Sequence, residues 1–264
     1  MDEYIQKYNQ LHPTIVYHFP LGVGGIGDCI KFFIYTLHLC IQHNIRLLYK
    51  RNHIPLEKYL RLQFDQMYFD DPLPTTSIQE QDIPHLTGDG YYYVVPSTFY
   101  SNIPYDTKHY DAIAIPIRDV FYFSDEVIHQ ANQMISLPHY ISIHLRLGDK
   151  HLETDHSFVH CKDDVRPYDE NSLFHFIEQH SEIPIVFFCD NQAYKLKIKQ
   201  KYHHVAITNC NIGHTSLSNT TDEQVLDTVA EFYILTASDS IYYASISGFP
   251  IIASKFNHTP LERI

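Results

Sequence analysis

The sequence has no tryptophan, only 3 methionines and 9 glycines in 264 residues, and 19 Lys and Arg set against 31 Asp and Glu. The missing tryptophan excludes no class of function. The shortage of basic residues does: at a formal charge of −12 the chain lacks the cationic stripe that supplies most of the affinity for a nucleic-acid backbone. Nineteen histidines make that charge pH-sensitive, because those near the ordinary value of about 6.5 gain protons in mild acid. The five cysteines, Cys29, Cys40, Cys161, Cys189 and Cys210, are odd in number and widely spaced, with no C-x-x-C. They fit neither a disulfide framework nor a structural zinc site, and a reducing compartment is the simpler reading. No apolar run approaches the ~20 residues that span a bilayer. The opening segment MDEYIQKYNQLHP is acidic and polar where a signal peptide is basic and then apolar. The expectation is a soluble, cytoplasmic protein with no nucleic-acid partner and no membrane span; its oligomeric state is not legible.

What is present is enough apolar sequence, 44% of residues against 19% charged, to bury one large core or two modest ones. Short β-branched or aromatic runs alternate with longer helical patterns, which marks an α/β protein with parallel sheets. Thr14 to Phe19 reads as the first strand, Gly22 to Gly27 as a glycine loop, and Asp28 to His43 as a helix presenting Ile30, Phe33, Ile34, Leu37 and Ile41. Strands follow at Ile45 to Tyr49 and Tyr91 to Val95, with a Pro-, Asp- and Thr-rich stretch from Asp70 to Pro116 around the latter. After a helix near Asp125 to Ile135, a second unit runs through strands at His139 to Leu145, Ile183 to Cys189, Val205 to Thr208 and Ser240 to Tyr243. Its helices are expected near Gln192 to Tyr202 and Asp222 to Ala237. Two Rossmann-like halves accommodate this pattern, 1–125 and 126–264, with the boundary between Pro116 and Pro138.

Open α/β sheets bind ligands beyond the carboxyl ends of their strands, and three such places carry suitable chemistry. The first is Gly22-Val23-Gly24-Gly25-Ile26-Gly27-Asp28, where glycine lets a ligand approach the backbone at a helix N-terminus. Its spacing is shorter than a dinucleotide fingerprint, and Tyr49, Lys50 and Arg51 stand where the ribose-binding acid is expected, which disfavours an NAD-type oxidoreductase. A tight strand-to-helix turn capped by Asp28 accounts for the same residues. The second is His144-Leu145-Arg146-Leu147-Gly148-Asp149-Lys150, where alternation places His144 and Arg146 on one side and a guanidinium can fork onto phosphate. An Arg146–Asp149 ion pair closing the loop is the plainer alternative. The third, Ser245-Ile246-Ser247-Gly248, could cradle an anion, although Ser and Gly are also ordinary turn residues. Asp70-Asp71 and Asp163-Asp164 read as loop acids rather than a metal motif, and His203-His204 lacks the spacing of a zinc site, so no metal is expected.

Taken in order, these segments resemble the fucosyltransferase superfamily that includes the α-1,2-, α-1,6- and protein O-fucosyltransferases. GVGGIGDCIKFFIYTLHLCIQHNIRLLY is similar to the family's opening glycine segment and helix, and YISIHLRLGDK to its H-x-R-R-x-D peptide. IPIVFFCDNQAYKLKIKQKY is similar to the later strand ending in T-D-D, and EFYILTASDSIYYASISGFPIIA to the C-terminal strand and Ser-rich turn. The resemblance implies an inverting, metal-independent transferase of the two-domain glycosyltransferase B fold, with GDP-fucose as donor substrate, a glycan as acceptor and no cofactor. It places Arg146 on the diphosphate and puts His144, Asp149 and Asp190 around the nucleotide, with Ser245, Ser247 and Gly248 at the phosphate turn. It counts Gly24, Gly25 and Gly27 among the donor-binding residues as well. Three departures follow: Leu147 stands for a second Arg, with Lys150 as the expected substitute cation; Asp28 replaces Asn; and Cys189-Asp190-Asn191 replaces T-D-D. For the proton of the acceptor hydroxyl, Glu153, Asp155 and Asp28 compete. Because the donor is an anion and the chain is acidic, a locally positive pocket around Arg146 is expected. The alternatives are another GDP- or nucleotide-linked sugar as donor, or a non-catalytic nucleotide- or sugar-binding module.

Overall fold

Short runs buried on both faces, joined through amphipathic segments, are accommodated by parallel strands covered with helices. The computed structural model describes residues 1–52, 55–95, 115–152, 163–210, 213–215 and 217–264. In chain order the first part contains α1 (Asp2–Lys7), β1 (Thr14–Tyr17), α2 (Ile26–Gln42), β2 (Arg46–Lys50), α3 (Leu56–Tyr59), β3 (Leu60–Leu62), β4 (Tyr68–Phe69), β5 (Ser77–Ile78), β6 (Tyr91–Val94) and β7 (Phe121–Phe123). Then come α4 (Asp125–Met134), β8 (Ile141–Leu145), α5 (Glu170–Gln179), β9 (Ile185–Cys189), α6 (Gln192–Lys201), β10 (Val205–Ile207), α7 (Asp222–Thr236), β11 (Ser240–Tyr243), α8 (Gly248–Asn257) and β12 (Leu261–Arg263).

Two parallel sheets result, ordered β4-β2-β1-β6-β5 and β10-β9-β8-β11-β12, with β3 and β7 as a separate antiparallel pair. Strand alternation divides the second sheet cleanly between two cores. Val186 and Phe188 of β9 face a large cluster that also holds Ile15, Val16 and Tyr17 of β1 and runs through α2, α7 and α8. Ile185, Phe187 and Cys189 face a smaller cluster with Ile143 and Leu145 of β8, Leu173 and Ile177 of α5, and Ile198 of α6. Among the described residues no helix is long and apolar enough to cross a membrane.

The expected strands and helices lie within two residues of those observed at most ends. Helix α2 begins two residues early, at Ile26 with Gly25 as N-cap, so Asp28 sits in the first turn and is not the cap. The segment after Ser247 is helix α8; Pro250 falls in its first turn, where a missing N–H costs nothing. Helix α5 was not anticipated, nor were the two-residue strands β4 and β5, too short to show a period.

α2 packs against α8, and Gly27 makes the approach possible. A Cβ at Gly27 would lie 2.9 Å from the carbonyl carbon and oxygen of Gly248, both backbone atoms that cannot rotate away. Gly27→Ala is therefore expected to cost about 1–3 kcal/mol, as overpacking does. Urea unfolding measures this, and an unchanged midpoint would show that the two helices can separate freely.

Candidate functional site

β8 lies between β9 and β11, so the loops after these three strands meet at one edge, where such sheets bind ligands. Leu147, beyond β8, continues the buried side of Ile143 and Leu145, which leaves His144 and Arg146 facing the other way. Both neighbours hold the loop. Ser245 Oγ, after β11, accepts from the Arg146 N–H at 2.8 Å and its hydroxyl donates to the Arg146 C=O at 2.7 Å. Asp190, after β9, accepts from the N–H groups of Leu147 and Gly148 at 2.7 and 3.0 Å.

A cavity of about 260 Å³ opens against Arg146, with Gly24, Gly25, Gly27 and Asp28 on its α2 side and Asp149, Ser247 and Gly248 also in its lining. The N-termini of α2 and α8 both reach it; Ser247 caps α8, its Oγ accepting from the Phe249 N–H at 3.3 Å. First-turn N–H groups lack intrahelical partners and carry the positive end of the helix dipole, so the cavity suits an anion. Arg146 is 22% exposed; its Nη2 is bonded to Asp149, and its Nε lies 4.0 Å from Asp164 with no hydrogen bond among the described residues. The Asp28 carboxylate, on the α2 side, is 3.1 Å from Lys31 Nζ.

Several expectations need correction. Ser245 is fully buried and lines neither this cavity nor its neighbour, because its hydroxyl is spent on the Arg146 backbone. Asp190 reaches the neighbouring cavity, but both its oxygens hold loop amides; burial pushes its pKa up against the pull of Arg146 and those amides. Lys150 is exposed and outside both linings; Arg166, which the sequence reading passed over, stands in the larger cavity instead. Nor is the pocket a bare positive one, since Arg146 and Arg166 share it with Asp28, Asp149 and Asp164. Glu153 and Asp155 lie outside the described residues.

A second cavity of about 80 Å³ shares Gly25, Ile26, Arg146, His214, Ser247 and Phe249 with the first. His144 stacks on Phe249, with ring centroids 5.6 Å apart. Burial, aided by the charges of Arg146 and Lys195, pulls the His144 pKa down to about 3, so the ring is neutral. Glu231 of α7 also lines this cavity. Its Oε1 accepts from Lys195 Nζ at 2.5 Å, from Cys210 Sγ at 3.1 Å and from the Thr208 hydroxyl, while Oε2 takes no hydrogen bond from the described residues. Lys195 is wholly buried. Burial alone would lower its pKa, but Glu231 and Cys210 together, through charge and hydrogen bonds, outweigh it and leave it raised, so the ammonium persists. Glu231 was detectable as a charge inside the apolar helical run VAEFYIL; Lys195, one of four lysines in α6, carried no such signal. Among the described residues no group of three or more His, Cys, Asp or Glu side chains is placed to hold a metal ion.

Neither a family model nor a curated protein matches the chain. Solved structures do. A variant of Arabidopsis thaliana FUT1 in complex with GDP aligns with 98% of this chain and 73% of its own, at 12% identity and a TM-score of 0.55. The α-1,6-fucosyltransferase NodZ soaked with GDP-fucose aligns with 93% of each chain, at 10% identity and a TM-score of 0.54. NodZ co-crystallised with GDP aligns with 92% of each, at 10% identity and 0.56. The fold is of the glycosyltransferase B type. At these identities the likeness is one of fold alone, and the residue assignments rest on the geometry above.

Two measurements follow from the buried groups. An unfolded histidine protonates below about 6.5, whereas His144 stays neutral to about 3. In that window the unfolded state binds more protons, so stability is lost as pH falls from about 6.5 towards 3. His144→Phe is expected to remove about 2 kcal/mol of the stability difference between pH 7 and pH 5 in urea unfolding; the same pH dependence in both proteins would contradict the assignment. Lys195→Met is expected to cost about 3–5 kcal/mol by stranding the Glu231 charge, and Lys195→Met with Glu231→Leu much less. A double variant as unstable as the single one would show that the stranded Glu231 charge is not the source of the loss.

Proposed function

We propose that the chain is a glycosyltransferase that moves fucose from GDP-fucose to a glycan hydroxyl, with inversion and without a metal. The observation that carries this reading is the pair of adjoining cavities that share Arg146, one lined by two helix N-termini and the other by Glu231. The first suits a diphosphate. The second suits guanine, whose adjacent N1–H and N2–H donors match the unbonded oxygen of a carboxylate, with Phe249 and Ile26 against the ring. The fold's likeness to proteins crystallised with GDP and GDP-fucose supports the same donor.

In the reaction, the acceptor hydroxyl attacks the anomeric carbon as the bond to the β-phosphate breaks. Charge collects on the departing GDP, where Arg146, the first-turn N–H groups of α2 and the Gly248 N–H at the start of α8 are already oriented to receive it. Their protein partners hold them in place beforehand, so little reorganisation accompanies the step. The hydroxyl proton needs an acceptor within hydrogen-bond reach. Of the cavity's carboxylates, Asp149 and Asp164 hold the two arginines and Asp28 pairs with Lys31 at 3.1 Å on the α2 side; Asp28 is the candidate for this role, with Glu153 as the second.

Transfer and donor-hydrolysis assays with GDP-fucose, GDP-mannose and UDP-sugars test the reading. Turnover on GDP-fucose is expected, and Arg146→Ala is expected to lower it on the order of 10²-fold or more. Asp28→Asn is expected to abolish the acidic limb of the pH–rate profile if Asp28 is the base. Near-normal turnover of Arg146→Ala would remove that residue from the mechanism; GDP binding without transfer to any acceptor would mark a nucleotide-binding module instead.

A further inference from the structure

We infer that Arg166 is the second cation of the diphosphate site, and that Gly148 is a glycine because the segment carrying Arg166 must lie against it. This deepens the proposed function and rests on it. The starting point is the residue after Arg146. Leu147 is 9% exposed and belongs to the smaller core, so position 147 points away from the cavity. A second positive charge must come from elsewhere, and the exposed Lys150 does not line the cavity.

Residues 164–166 run alongside the loop. The Arg166 N–H donates to the Leu147 C=O at 2.9 Å, and the Lys150 N–H donates to the Asp164 C=O at 3.2 Å. Gly148 has φ +104°, and a Cβ there would lie 2.4 Å from the Asp164 carbonyl oxygen. Both conditions exclude a side chain: the backbone conformation disfavours L-residues, and the space is filled by another backbone. Gly148 thus brings a segment 16 to 18 positions later in the chain into register with the arginine peptide.

That segment delivers a guanidinium with its fork unspent. Asp164 binds Arg166 through Nε alone, Oδ1 at 2.9 Å and Oδ2 at 3.0 Å. The terminal nitrogens of Arg166 make no hydrogen bond among the described residues, and the side chain, 37% exposed, lines the same cavity as Arg146. Asp164 also lies 4.0 Å from Arg146 Nε, so one carboxylate stands between the two guanidinium groups and offsets their repulsion. Two arginines oriented by acids and aimed at one cavity form a clamp for two adjacent phosphates.

Calorimetric titration of the full chain with guanosine, GMP and GDP tests this in wild type, Arg166→Ala, Arg166→Lys and Gly148→Ala. Arg166→Ala is expected to weaken GDP roughly tenfold or more, the loss of a charge-assisted hydrogen bond, and to leave guanosine within twofold of wild type, with Arg166→Lys between the two. Gly148→Ala is expected to follow Arg166→Ala; if it does not fold, the arginine variants still decide. Wild-type affinity for GDP in Arg166→Ala, or equal losses for guanosine and GDP, would overturn the role of Arg166 while leaving the proposed donor intact. A wild-type protein that binds no GDP would overturn both.

Discussion

The site depends on the position of β8 between two parallel neighbours. A strand in that place can have its following loop gripped from both sides, and here it is: Ser245 after β11 holds both backbone groups of Arg146, and Asp190 after β9 holds the next two amides. These hydrogen bonds join residues 42 to 99 positions apart, so the loop takes its shape only once the sheet has formed. The guanidinium that emerges is fixed at its base by strand order rather than by the sequence around it. Preorganisation of this kind is what lets a cation stabilise charge that appears only during reaction.

The same constraint shapes the cavity proposed for an anion in a chain of formal charge −12. The cavity is not an island of positive potential. Each arginine in it has a carboxylate partner, Asp149 for Arg146 and Asp164 for Arg166, and Asp28 has Lys31. What such a site offers is direction: N–H groups at two helix starts and guanidinium edges left over after pairing. The acids reduce long-range attraction but hold the donors still, and contacts at hydrogen-bond range outweigh a screened overall field.

The fold was legible where the signal was long. Helix α2 shows its apolar face in Ile30, Phe33, Ile34 and Leu37, all with no exposed surface; the strand ending at Cys189 is a continuous apolar run, and the one ending at Leu145 is apolar apart from Ser142 and His144. Arg146 was legible because a charge at the end of a buried strand requires a partner or a task. What escaped was decided in three dimensions. Ser245 reads as a phosphate ligand until the strand order shows it facing the Arg146 backbone. The sequence pointed to Lys150 as the second cation and passed over Arg166; the positive φ of Gly148 and the packing of Asp164 against it bring Arg166 to the cavity instead. Lys195 sits among Lys197, Lys199 and Lys201, and its burial follows from the turn of α6 that faces Thr208 and Glu231.

The proposed function requires the clamped arginine loop and the Glu231 cavity to form one site for a nucleoside diphosphate. A crystal structure of the chain with GDP bound tests it most directly. The expected result places the diphosphate between Arg146 and the N-terminus of α8, with the guanine edge on Glu231. Density for GDP elsewhere on the molecule, or a base directed away from Glu231, would contradict it.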